Sequence, residues 1–169
     1  MKTVPSLTYF LEMKESPGII NTKLPKGFHF ELLQNPDPEE YIRIYRMIGF
    51  KWKWYDRILM DKTKLIKIIQ SPETKIYTLN HSNEIAGFAE LNTSEKGSIE
   101  IVYLGIKDGY IGKGLGKALI NNVLHAGWNL NPDRIWLHTC EYDHPGALKF
   151  YERCGFEVYR EELLTQVVL

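Results

Sequence analysis

An excess of either charge is what this chain most plainly lacks. Its 169 residues hold 21 lysines and arginines against 21 aspartates and glutamates, a formal net charge of zero. That excludes a global electrostatic pull towards nucleic acid and leaves only local patches to consider. Cysteine is scarce: Cys140 and Cys154 give no disulfide framework, and reduced thiols in a cytoplasmic protein are expected. No run of about 18 apolar residues occurs, so no membrane span is expected. The opening M-K-T-V-P-S-L-T-Y-F-L-E-M-K has no long apolar core and does not read as a signal peptide. Repeats and low-complexity tracts are also missing. What is present is ordinary globular composition, 44% apolar and 25% charged. It is consistent with a single domain over residues 1–169.

Periodicity and punctuation organise the chain. L-T-Y-F-L-E-M (7–13) and G-F-H-F-E-L-L (27–33) read as strands. In N-P-D-P-E-E, Asp37 is placed to cap a helix, Pro38 suits its first position and Glu40 stands where a capping-box acid would. Tyr41, Tyr45 and Ile48 then share one helical face, and Gly49 ends the helix. Asp61 caps a second helix carrying Leu65, Ile68 and Ile69, which Ser71-Pro72 stops. Three strand-like runs follow, at 75–79, 85–91 and 98–106, joined by hairpin turns at 81–84 and 93–97. A helix is expected from Leu115, a strand over 134–140, and a short helix that opens with a cap and Pro145 and closes at Gly155. F-E-V-Y-R and L-L-T-Q-V-V-L then read as two strands. The hairpin-linked strands argue for a mixed sheet with helices on both faces rather than a doubly wound parallel one.

The chemistry concentrates in G-Y-I-G-K-G-L-G-K-A, residues 109–118, between a strand and a helix. Glycines allow positive φ and close approach of a ligand to the backbone. The first N–H groups of the helix have no intrahelical partner, and its dipole adds partial positive charge there. Lys113 and Lys117 add full charges. The nucleotide phosphate loop, G-x-x-x-x-G-K-(S/T), fails because Ala118 follows Lys117 and Ile111 stands five before Gly116. The dinucleotide pattern G-x-G-x-x-G fails at Lys117.

The loop does resemble the pyrophosphate motif (Q/R)-x-x-G-x-(G/A) of the GNAT N-acyltransferase superfamily, with Gly114 and Gly116 in its last two places. A-L-K-F-Y-E-R-C-G-F (147–156) resembles the later A-x-x-x-Y-x-x-x-G-F signature, and I-E-I-V-Y-L-G-I the strand before the loop. This resemblance, over roughly 75–160, implies an α/β (α+β) fold with a mixed, mostly antiparallel sheet flanked by helices and splayed between the strands at 98–106 and 134–140. It implies acetyl-CoA as cofactor, its pyrophosphate held by Gly112, Lys113, Gly114, Leu115, Gly116 and Lys117. Its pantetheine arm would lie along Leu104, Gly105 and Ile106. The reaction implied is direct attack of a primary amine on the thioester. Tyr151 would serve the departing sulfur and Glu100 would be the leading base, with Glu90, His138, Glu141 or a water chain as competitors. Two departures stand out. Ile111 replaces the usual Gln or Arg, and His144 replaces an Asn, either substituting for its cofactor contacts or capping the helix.

Acceptor sites in the family use the two N-terminal helices, their connection and the last hairpin, here F-K-W-K-W-Y-D-R and 157–169. Trp52, Trp54, Tyr55 and Arg57 are the acceptor-binding candidates, for an aromatic or carboxylate-bearing amine, with helix packing as the alternative role of the tryptophans. The same run is weak support for single-stranded nucleic acid, and none is expected as a partner. No metal is expected, since Pro145 breaks the ligand face that Cys140 and His144 would share. A small-molecule or peptide amine acceptor and a monomer or homodimer are expected. The competing reading is a CoA-binding sensor or interaction module without catalysis.

Overall fold

The computed structural model describes residues 2–169. Its strands are β1 Lys2–Met13, β2 Phe28–Leu32, β3 Thr74–His81, β4 Glu84–Asn92, β5 Ser98–Ile106, β6 Arg134–Cys140 and β7 Glu157–Val168. Its α-helices are α1 Pro38–Gly49, α2 Asp56–Leu59, α3 Lys62–Ile69, α4 Leu115–Trp128 and α5 Ala147–Arg153, with a 3-10 turn at Phe50–Trp52. All seven strands join one sheet in the order β2-β3-β4-β5-β6-β1-β7. Every neighbouring pair is antiparallel except β5 and β6.

The local chemistry of the helices explains their placement. The Asp37 carboxylate accepts from the N–H groups of Glu39 and Glu40 at 2.9 and 3.1 Å, and Asp61 accepts from Lys64 at 3.1 Å. The 3.6-residue stripe of α1 buries Tyr41, Ile44, Tyr45 and Ile48 against Ile76 and Phe88 of the sheet, with Leu65 and Ile69 of α3 beside them. On the opposite face α4 buries Leu119, Val123 and Leu124 against Leu91, Ile101 and Leu137. The result is an α+β fold with a mostly antiparallel sheet between two helical layers.

Two expectations change at the chain ends. β1 begins at Lys2 rather than at residue 7 and lies inside the sheet, paired with both β6 and β7. Residues 157–168 form one long strand rather than two. No glycine, proline or asparagine interrupts E-V-Y-R-E-E-L-L-T-Q-V-V, so nothing turns the chain. The partner that a hairpin would have supplied is β1. The register shifts only once, between Phe10/Arg160 and Leu11/Val158, which leaves Tyr159 as a bulge.

The feature that positions the site is a split in the sheet. β5 and β6 pair only at Ser98–Arg134, Ile99–Ile135 and Glu100–Trp136. Beyond Glu100 they diverge. β5 carries a bulge at Val102 at that point, because Tyr103 faces Glu90 while Ile101 faces Leu91. A bulge bends and twists a strand, which aims β5 away from β6.

Candidate functional site

A cleft of about 480 Å³ fills the split. Its walls are β5 from Ile101 to Ile106 and β6 from Leu137 to Cys140, and the glycine loop, α5, β1 and β7 also contribute to it.

The glycine loop is open and undercapped. Gly109, Gly112 and Gly114 have φ of +90°, +81° and +75°, and nothing lies within 4 Å of where a Cβ would stand on any of them. Gly114 is the N-cap of α4 and gives no side-chain hydrogen bond to the first turn, so those N–H groups remain free for an anion. Leu115 is buried and anchors the turn, and Gly116 lines the cleft. Lys113 lies 5.5 Å over the Tyr110 ring, and the exposed Lys117 comes within 3.7 Å of the Cys154 sulfur. Tyr110 is held in turn, donating to Glu84 at 2.9 Å and meeting His81 at 3.3 Å. Leu104, Gly105 and Ile106 line the cleft on the β5 edge that β6 has left.

Tyr151 of α5 also lines the cleft, packed edge-on to Phe150 and Phe156. Burial pushes its phenol pKa up, and the Asp143 and Cys154 charges add to the rise, so it stays a proton donor at neutral pH. His144 lines the cleft as well, and its Nδ1 accepts from the N–H of Gly146 at 3.0 Å.

Glu100 and His138 meet where the two strands are about to part, with Oε1 and Nε2 4.0 Å apart. Burial raises the Glu100 pKa, and the Glu90 charge raises it further while Arg57 opposes. His138 stands on the cleft wall, and its desolvated surroundings push its pKa below the usual histidine value. With the ring 46% exposed that depression is smaller than full burial would give. Glu90 is 1% exposed and engaged by Arg57 at 2.5 Å and by the Tyr41 hydroxyl. Glu141 accepts from the Leu7 N–H at 2.9 Å.

The connection between α1 and α2 bridges the split. Trp52 meets the His144 ring at 5.4 Å, Lys53 lies 3.6 Å over the Tyr142 ring, and Trp54 donates from Nε1 to Asp143 at 3.2 Å. Gln166 of β7 donates to the Lys53 carbonyl at 2.9 Å. Trp52 and Trp54 therefore line the cleft, whereas Tyr55 is buried against Phe50 and Arg57 lies beneath it with Glu90.

Asp143 matters more than its sequence position suggested. The cap expected in D-H-P-G serves the end of β6, not α5: its carboxylate accepts from Thr139 Oγ1 at 2.7 Å and from the Cys140 N–H at 3.0 Å. α5 starts at Ala147, and its N-cap Gly146 supplies no side-chain hydrogen bond. Ser6 and Thr8 of β1 also line the cleft, and no motif marks them. Only the position of β1 within the sheet brings them there.

Among the described residues no group of three or more His, Cys, Asp or Glu side chains is arranged to hold a metal ion, and no helix is long and apolar enough to cross a membrane.

Comparison with known proteins adds the family. The family model described as acetyltransferase (GNAT) family matches residues 33–156. An uncharacterized N-acetyltransferase of Mycobacterium tuberculosis (strain H37Rv) is 26% identical over 99 residues, which span 59% of this chain and 63% of that relative. The chain thus matches less than two thirds of that relative's length. A functionally unknown conserved protein from Staphylococcus epidermidis shares the fold with a TM-score of 0.67 at 12% identity, covering 97% of this chain and 62% of that one. A GNAT family acetyltransferase from Elizabethkingia anophelis with acetyl-CoA bound has a TM-score of 0.62 at 16% identity, covering 80% of each chain.

Proposed function

The chain belongs to the acetyltransferase (GNAT) family, and from that premise we propose that it moves an acetyl group from acetyl-CoA to a primary amine by direct attack. One observation carries the reading: the uncapped N-terminus of α4, with open positive-φ glycines, lies beside a β5 edge that β6 has left unpaired.

Those residues fit the cofactor. The loop from Gly112 to Lys117 offers N–H groups, dipole and cations to a pyrophosphate, and no side chain occupies the space next to Gly112 and Gly114. The backbone of Leu104–Ile106 offers strand-like hydrogen bonds to an amide-bearing arm. Bound there, acetyl-CoA supplies an acyl group activated as a thioester. The protein must then hold a neutral amine beside it, take the amine's proton and protonate the leaving sulfur. The new bond joins the amine nitrogen to the acetyl carbon as the carbon–sulfur bond breaks.

Glu100 and His138 form the proton-accepting pair. Burial favours the protonated, neutral form of Glu100, which suits it to receive a proton, and keeps the His138 ring neutral, so that its nitrogen is free to pass a proton on to the carboxylate. Tyr151, kept protonated by burial, donates to the thiolate. Trp52 and Trp54 enclose the acceptor end and exclude water.

Thermal unfolding with acetyl-CoA is the first test. A ligand at a hundred times its Kd adds about 2.7 kcal/mol to stability, a shift of several degrees. No shift, together with no thiol release across a panel of primary amines, would overturn the proposal. Tyr151→Phe should then slow thiol release by about a hundredfold while acetyl-CoA still binds.

A further inference from the structure

We propose that Ser6 on β1 is an acceptor-binding residue, and that the chamber it lines takes a small primary amine carrying a hydroxyl group and no carboxylate. The proposal rests on the acetyl-transfer reading of the same cleft.

Ser6 is 1% exposed, lines the cleft, and its Oγ has no hydrogen-bond partner. The Cys140 thiol lies beside it, and a thiol is a weak partner. A buried hydroxyl left unpaired is unusual in a folded protein, and one at the edge of a cleft is a place where a ligand completes the bond. Thr8, two residues along and facing the same way, already donates to the Ser6 carbonyl at 3.3 Å. The Ser6 hydroxyl is therefore left on this wall with only the weak Cys140 thiol beside it.

The charges decide what kind of amine fits. Asp56 and Asp143 line the chamber, and Glu100 lies behind His138. The neighbouring cations point elsewhere. Arg57 is paired with Glu90, and Lys53 lies over the Tyr142 ring. An acceptor carboxylate would face these acids with only Lys53, among the described lysines and arginines of the cleft wall, to receive it, whereas an arriving ammonium is attracted. The cleft of about 480 Å³ also has to hold the arm of the cofactor, which leaves room only for a small acceptor.

Three primary amines, each carrying a six-membered ring, separate the requirements: glucosamine with hydroxyls, cyclohexylamine without them, and phenylalanine with a carboxylate. Thiol release should be fastest with glucosamine and slowest with phenylalanine. Ser6→Ala should lower kcat/KM for glucosamine roughly tenfold, the scale of one lost hydrogen bond, and for cyclohexylamine distinctly less. Ser6→Thr should restore part of the loss, and acetyl-CoA affinity should not change. Equal losses on both amines, no loss on either, or a preference for phenylalanine would overturn the proposal. Should no amine be acetylated, calorimetric titration of glucosamine into the CoA-saturated protein decides. Binding that Ser6→Ala abolishes supports the site while sinking the transfer reading, and absence of binding overturns the site itself.

Discussion

Arg57 and Glu90 form a closed pair under the acceptor side of the cleft. The guanidinium Nη2 stands 2.5 Å from Oε1, the carboxylate is 1% exposed, and the Tyr41 hydroxyl donates to its other oxygen. The Arg57 guanidinium also lies 5.5 Å from the Tyr103 ring centroid, and burial raises the Tyr103 phenol pKa to about 12. The network links α1, α2, β4 and β5, so it supports the site without facing it. Glu90→Leu leaves a buried cation unpaired and should cost about 3–5 kcal/mol. Arg57→Met with Glu90→Leu should cost less than the sum of the two single changes, since the double variant leaves no orphaned charge. Urea unfolding midpoints of the three variants measure both.

The helical stripes and the glycine loop were legible because local chemistry determines them. Asp37 and Asp61 cap where a short polar side chain must, and Tyr41, Tyr45 and Ile48 recur at the helical period. The site's far wall was not legible. Ser6 and Thr8 reach the cleft because β1 inserts between β6 and β7, a pairing across more than a hundred residues that no local pattern encodes. Arg57 looked like an acceptor contact because its sequence neighbours are aromatic and basic. Its partner Glu90 lies on β4, three elements further on, and only the fold brings them together.

Gly114 and Gly116 make different demands although they stand two apart. Gly114 has φ +75° and open space around it, so a Cβ strains the backbone by about 1–2 kcal/mol and intrudes on the anion cradle. Gly116 is helical, and a Cβ there would meet Phe150 at 3.7 Å, an ordinary contact. Gly114→Ala should weaken acetyl-CoA binding by at least roughly tenfold, the factor equivalent to 1.4 kcal/mol. Gly116→Ala should bind nearly as the parent does, because the backbone N–H survives and alanine favours the helix. Calorimetric titration of both variants checks the contrast.

Trp54 occupies a socket made by two glycines. A Cβ on Gly49 would overlap its indole, and one on Gly105 would stand 2.5 Å from Ile48 Cγ2 and 3.1 Å from Trp54 Cη2. Gly49→Ala should therefore cost about 1–3 kcal/mol, the range for overpacking. In a Trp54→Ala background the same change should cost distinctly less, because the clashing ring is gone. Equal costs in both backgrounds would mean that the indole does not fill the socket in solution.

Glu100 carries an opposition between stability and activity that pH exposes. Its folded-state pKa is raised by burial and by the Glu90 charge, so the native state binds this proton more tightly than the unfolded chain does. The stability associated with the protonated form is present below the unfolded value of about 4.3. It is lost as pH rises through the higher folded value. At neutral pH the ionised carboxylate is therefore a burden on the fold, and Glu100→Gln should raise the melting temperature at pH 7 relative to the parent. The advantage should shrink as pH falls towards 4, where both side chains are neutral. The same substitution removes the carboxylate from the proton-accepting pair with His138, 4.0 Å away, and should lower kcat by about a hundredfold. In the parent, kcat/KM should fall as pH drops and the pair takes up its proton, and this acid limb should change in Glu100→Gln. A variant that is both more stable and as active as the parent, with the limb unmoved, would remove Glu100 from the chemistry and leave His138 or water to take the proton.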